Sequence, residues 1–231
     1  MRLDKLLCDC GKASRSEAGK LIRAGKVTVN GQVIKKPDFK VCEDADEITL
    51  LEKPVIYKKF TYIMLNKPVG YVSATEDENE PCVLDLVSDE DRKKGLFPCG
   101  RLDKNTLGLV VLTNDGEGAH RVLSPKHHVS KVYLFECEGP LSEDDIKRLE
   151  GGVDIGGYTT KPCKIEMTRN TVGKITLTEG KYHQIKRMLE AVDNKITYLE
   201  RISFGTINLD PQLDRGQWRY LTKDEEKLFS N

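Results

Sequence analysis

At 231 residues the chain is long enough for one large domain or two smaller ones with cores of their own. No apolar run approaches the roughly 18 residues that span a bilayer, and Met1-Arg2-Leu3-Asp4-Lys5 opens no signal-peptide core, so a cytoplasmic protein without a membrane segment is expected. The 37 Lys/Arg balance 37 Asp/Glu, yet residues 1–40 hold ten basic against four acidic side chains, so a basic N-terminal module is expected to meet a polyanion.

The elements follow in chain order. Leu3, Leu6, Leu7 and Cys10 recur at helical spacing and predict a short amphipathic helix. Ser14-Arg15-Ser16-Glu17 has the form of a capping box, in which a serine and a glutamate each satisfy a free backbone N–H. The helix it opens buries Ala18, Leu21 and Ile22 and stops at Gly25. Arg15, Lys20 and Arg23 fall on the opposite arc as a basic stripe. Asn30-Gly31 between two β-rich runs predicts a hairpin, because both turn positions want positive φ. This order of motifs resembles an S4 domain, the small αα-β module that docks on structured RNA. The resemblance implies that Arg15, Lys20, Arg23 and Lys26 touch phosphates, giving affinity and position but little sequence reading.

Residues 43–50 read as an acidic turn and a closing strand, and the Pro- and Lys-containing segment that follows reads as a linker. The expected division is 1–52 for the RNA-binding domain, 53–60 for the linker and 61–231 for a catalytic body. Within the body, strands are expected at Phe60–Asn66, Leu109–Leu112, Val132–Cys137 and Lys174–Thr178. A helix should start at Ser142 and stop at Gly151-Gly152, and another should bury Ile185, Met188, Leu189 and Val192. Strands without regular βαβ alternation predict an α+β fold with a mixed, largely antiparallel sheet.

Three segments carry chemistry. Gly100-Arg101-Leu102-Asp103, with Thr106 after it, sets a carboxylate and a guanidinium in a turn before an apolar strand. Ser124 to Tyr133 places a tyrosine at a strand start behind the cationic Lys126-His127-His128 loop. Glu179-Gly180-Lys181-Tyr182-His183-Gln184-Ile185-Lys186-Arg187 packs polar groups around the first turn of a helix. Taken singly, each group has a plainer reading. Asp103 can close a turn, Tyr133 can be a satisfied strand residue, and Lys186 and Arg187 can be solvated. Arg101 can pair with a nearby acid, His183 can cap the helix, and Asn114-Asp115 read as turn formers.

Together with Leu65-Asn66-Lys67-Pro68-Val69-Gly70 and the closing Gly216 to Thr222 stretch, these segments resemble the RsuA-type pseudouridine synthases. The wording around Tyr182-His183 is similar to the branch acting on small-subunit (16S) ribosomal RNA. Carried over by motif, the resemblance implies Asp103 as catalytic aspartate, Tyr133 as active-site tyrosine and Lys186 as basic partner of the aspartate. Arg101, Thr106, His183, Gln184 and Arg187 are then the expected substrate contacts. The wider family often has arginine at the place of Lys186, and an ammonium is not a guanidinium.

The implied reaction breaks N1–C1′ of a flipped uridine, rotates the base and joins C5 to C1′. A carboxylate can serve it as nucleophile, as charge stabiliser or as base at the ribose, and these remain open. A tyrosine can stack on the uracil and help move the C5 proton. The seven cysteines form no Cys-x-x-Cys pair, adjacent His127-His128 would point apart on a strand, and no Gly-rich phosphate loop is present. No metal and no cofactor are expected, and the expected partner of this monomer is ribosomal RNA or an assembly intermediate. A non-enzymatic RNA-binding or ribosome-assembly protein is the alternative, and an N-glycosidase would want a second carboxylate.

Overall fold

The computed structural model describes residues 1–43, 45–55, 57–124, 126–127 and 129–230. Asp44 of the expected acidic turn, Ile56 of the expected linker, and Pro125 and His128 of the cationic loop lie outside the described residues. The chain divides into two compact units, Met1–Thr61 with Leu84–Phe97, and Tyr62–Val83 with Pro98–Asn231.

In the first unit, helices α1 (Leu3–Asp9) and α2 (Arg15–Arg23) share a core with strands β1 (Val27–Val29) and β3 (Ile48–Leu50), while β2 (Gln32–Val33) pairs with β1 with both residues exposed. Leu3, Leu6, Leu7, Ala18 and Ile22 meet Val27, Val29 and Ile48 there. The capping box at Ser14 is complete. Ser14 Oγ accepts from the Glu17 N–H at 3.3 Å, and Glu17 Oε2 accepts from the Ser14 N–H at 2.8 Å. Asn30 and Gly31 adopt φ of 50° and 79°, the two positive values that a tight hairpin requires. The sheet runs β2-β1-β3-β4, and its last strand, β4 (Lys53–Pro54), occupies the start of the expected linker. Leu51 and Glu52 turn through positive φ, and Lys53 and Pro54 then pair with Leu50 and Thr49. Proline suits this position because an edge strand needs no donor on its outer side. The segment Leu84–Phe97, which carries the short helix α3 (Asp89–Arg92), clusters with this unit although it falls inside the expected 61–231 body.

The second unit is built on a mixed sheet. Its strands are β5 (Tyr62–Lys67), β6 (Phe97–Cys99), β7 (Leu107–Thr113), β8 (Lys131–Cys137), β9 (Lys164–Arg169), β10 (Val172–Leu177), β11 (Ile196–Phe204), β12 (Ile207–Asn208) and β13 (Trp218–Tyr220). The main path runs β13-β5-β7-β11-β8-β10-β9, and β11 with β7 is its one parallel pair. Every residue of β5 is buried, whereas β8 alternates, as a strand with one covered face should. Where β7 and β11 run parallel, Gly108 faces Arg201. A Cβ on Gly108, which has φ of 97°, would sit 2.3 Å from the Arg201 carbonyl, so glycine sets how closely the strands approach.

Helices α4 (Gly116–Leu123), α5 (Glu143–Gly151), α6 (Gln184–Glu190) and α7 (Lys223–Glu226) complete the unit. Helix α4 corrects the reading of Asn114-Asp115 as a plain turn. Asp115 is its buried N-cap, accepting from the Gly118 N–H at 2.9 Å and from the Tyr62 hydroxyl at 2.7 Å. His127 lies in the connection between α4 and β8, so the expectation that it sits on a strand does not hold.

Candidate active site

The loop between β6 and β7 carries Asp103, and its backbone is tied down on both sides. The buried Ser73 hydroxyl donates to the Leu102 carbonyl at 2.9 Å and accepts from the Leu102 N–H at 3.0 Å. Beyond Asp103, the Thr106 N–H closes a turn onto the Asp103 carbonyl at 3.0 Å. Lys67, at the end of β5, has no exposed surface and donates to the carbonyls of Pro68, Lys104 and Thr106 at 3.0, 3.1 and 2.8 Å. Burial pushes its ammonium down to about 8; Asp103 opposes that shift and Lys186 adds to it.

Opposite this loop, Glu179 fixes the entry to α6. Its carboxylate accepts from the Tyr158 hydroxyl at 2.6 Å, the Lys161 N–H at 2.9 Å and the Gln184 amide at 2.8 Å. Burial would raise its pKa, but the three donors hold the group below its ordinary value. Gln184 also accepts from the Lys181 N–H at 2.9 Å. Its amide is therefore consumed within the protein, and Gln184 serves as a brace.

These two anchored segments bring Lys186 to Asp103. The ammonium donates to Asp103 Oδ2 at 2.7 Å, and both side chains are 29% exposed. His183 Nε2 lies 3.5 Å from the other carboxylate oxygen. His183 holds φ of 51°, and its ring stacks on Tyr182 with centroids 3.8 Å apart. Tyr133, on β8 between Ile175 and Arg201 of the neighbouring strands, is buried and lines the same cavity.

That cavity, of about 490 Å³, gathers Arg101, Asp103, Thr106, Tyr133, His183, Gln184 and Lys186 from the three segments. Arg101 is exposed at its edge with no acid bound to it among the described residues. Thr106 is buried, and its hydroxyl has no hydrogen-bond partner among the described residues. Arg187 is placed elsewhere. It is absent from the lining, and its guanidinium lies beside Gly156, where an added Cβ would come within 2.7 Å of it. In the first unit, Arg15, Lys20, Arg23 and Lys26 are all exposed.

The motifs include Lys67, Lys131 and Glu179 but assign them no role, and Ser73 and Arg201 lie outside the motifs. The one available signal was a charged side chain inside an apolar strand run, as at Lys67 and Arg201, since such a charge must meet a partner or a ligand. Among the described residues, no group of three or more His, Cys, Asp or Glu could hold a metal ion. No helix there is long and apolar enough to cross a membrane.

Residues 61–191 match the family described as RNA pseudouridylate synthase, and residues 1–48 match the S4 domain. The chain is 47% identical over its full length to an uncharacterized RNA pseudouridine synthase, YtzG, of Bacillus subtilis (strain 168), covering 98% of that protein. It is 40% identical to the ribosomal small subunit pseudouridine synthase A of Escherichia coli (strain K12), with 97% of this chain and 98% of that protein covered. A crystal structure of a pseudouridylate synthase matches with a TM-score of 0.70 at 34% identity, covering 99% of each chain.

Proposed function

Given that the chain belongs to the RNA pseudouridylate synthase family and carries an S4 domain, we propose that it converts a specific uridine of small-subunit (16S) ribosomal RNA to pseudouridine, with Asp103 as the catalytic residue. The observation that carries this reading is the Asp103 carboxylate, paired with Lys186 at 2.7 Å in one cavity with Tyr133.

The flipped nucleotide enters with its sugar toward Asp103. As N1–C1′ breaks, C1′ becomes electron-poor and the carboxylate compensates it. Tyr133 supplies a ring face for the uracil while it turns, and its hydroxyl, directly or through water, helps the C5 proton leave. Arg101 holds backbone phosphate or fills the place of the extruded base. Thr106 and His183 complete the contacts to the nucleotide, and Lys186 orients the carboxylate. The reaction is an isomerisation that moves the glycosidic bond from N1 to C5, with a proton lost at C5 and one gained at N1, and draws on no cofactor.

The S4 residues Arg15, Lys20, Arg23 and Lys26 engage phosphates of the same RNA, so the working division is 1–52 for docking, a short linker and a catalytic body to 231. We place the enzyme in the cytoplasm as a monomer acting on ribosomal RNA or an assembly intermediate. The test is a pseudouridine map of small-subunit RNA from cells lacking the protein. One site should vanish and return with the intact gene. An unchanged map would refute the assignment of this RNA.

A further inference from the structure

At the inner wall of the cavity, two cations stand without an acid. Arg201 is the cross-strand neighbour of Tyr133, and Lys131 lies two residues before Tyr133 on the same face of β8. Both line the cavity, with Arg201 only 1% exposed and Lys131 9%. Arg201 Nε donates to the Leu109 carbonyl at 2.8 Å, yet its Nη2 is buried with no hydrogen-bond partner among the described residues. Among the described residues Lys131 makes one hydrogen bond, to the Val129 carbonyl at 3.1 Å. The two charges flank the Phe204 ring, at 5.3 Å for the guanidinium and 5.5 Å for the ammonium. Glu200, the acid next to Arg201 in the chain, is paired instead with Arg215 at 2.9 Å. No ion pair joins Arg201 or Lys131 to a carboxylate among the described residues. Burial and the Arg201 charge together push the Lys131 ammonium below its ordinary value.

Keeping two unpaired cations out of water is costly, and sites that carry such a cost usually use it on a charge that appears during reaction. We propose that Arg201 and Lys131 form a cationic floor that stabilises the uracil ring while it is detached from the sugar. This rests on the reading of the site as a uridine isomerase. When N1–C1′ breaks, its electron pair stays with the base, and the negative charge spreads from N1 to O2 and O4. C1′ is left electron-poor toward Asp103. The same ring electrons later form C5–C1′, the C5 proton passes to solvent, and N1 takes up a proton, so no atom is gained or lost overall. A base stacked on Tyr133 lies beside the wall that carries the Arg201 guanidinium, so the floor acts on the developing charge through its field across that wall.

The experiment compares full-length wild type, Arg201→Gln, Arg201→Lys and Lys131→Gln in single turnover on uridine RNA and on 5-fluorouridine RNA. Substrate consumption is followed by mass spectrometry, with RNA affinity and thermal unfolding measured alongside. Fluorine makes the departing base a more stable anion, so its departure should depend less on the floor. Arg201→Gln is expected to slow the uridine reaction about 100-fold, the scale of losing one preorganised donor, while RNA affinity holds within about threefold. The loss on 5-fluorouridine should be below about tenfold, and Arg201→Lys should fall between glutamine and wild type. If Arg201→Gln does not fold, Lys131→Gln, at the strand start with one backbone bond, decides the question by the same ratio. Equal losses on both substrates, or none, would overturn the floor alone. A wild type that forms no pseudouridine would overturn the isomerase reading beneath it.

Discussion

Replacing Lys67 by methionine separates the Asp103 loop from its tether at little cost in volume. In the folded chain this buried ammonium is held at about 8 against an ordinary 10.5. Between those values the unfolded chain binds more protons than the folded one, so the contribution of Lys67 to stability rises with pH across that window. The linkage relation puts the gain at about 2 kcal/mol from pH 7 to 9.5, which the methionine variant lacks. Against the relief of a buried charge stand three carbonyls, of Pro68, Lys104 and Thr106, that lose their donor at about 1 kcal/mol or more each. Net stability at pH 7 should therefore change little, while the wild-type advantage grows at pH 9.5. Urea unfolding of both proteins at both pH values measures this. Because two of the freed carbonyls, those of Lys104 and Thr106, belong to the loop just after Asp103, the single-turnover rate should fall roughly 10- to 100-fold, the scale of a misplaced reacting group. An identical pH response in the two proteins, or an undiminished rate, would refute the reasoning.

Glu179→Gln replaces an acceptor of three donors by a group with one acceptor oxygen. It should destabilise the second unit by about 1–3 kcal/mol and slow turnover through the displaced start of α6, read by thermal unfolding and kcat together. Tyr158→Phe removes one of those bonds and should cost about 1 kcal/mol with turnover nearly retained. Changing Arg15, Lys20, Arg23 and Lys26 together to alanine should weaken RNA binding and lower the slope of log affinity against log salt by about 3, measured by filter binding. An unaltered slope would remove these residues from the RNA contact.

Much of the fold was legible because local chemistry and tertiary structure agree. Ser14 with Glu17, Asn30-Gly31 and the Ile185, Met188, Leu189 spacing each specify one local geometry, and each is found. The misreadings share a cause: polar groups that act at long range look like punctuation or surface in a sequence. Asp115 has the look of a turn residue but caps α4 and receives Tyr62 from 53 positions away. The strand β11 escaped notice because Glu200 and Arg201 interrupt its apolar pattern, although both are buried. Pro54 suggested a linker where an edge strand tolerates it. At the site, the motifs named Asp103, Tyr133 and Lys186. The braces Lys67 and Glu179 bond to backbone and amide groups, and beyond the charge inside an apolar strand at Lys67 no pattern in the chain records such bonds.

The most direct measurement is tritium release from C5-labelled uridine in ribosomal RNA by wild type and Asp103→Asn. Wild type should release label with turnover and leave pseudouridine behind. The asparagine variant should release none above background while binding the same RNA within about threefold of wild type. Release by the variant at the wild-type rate would contradict the assignment of the chemistry to this carboxylate.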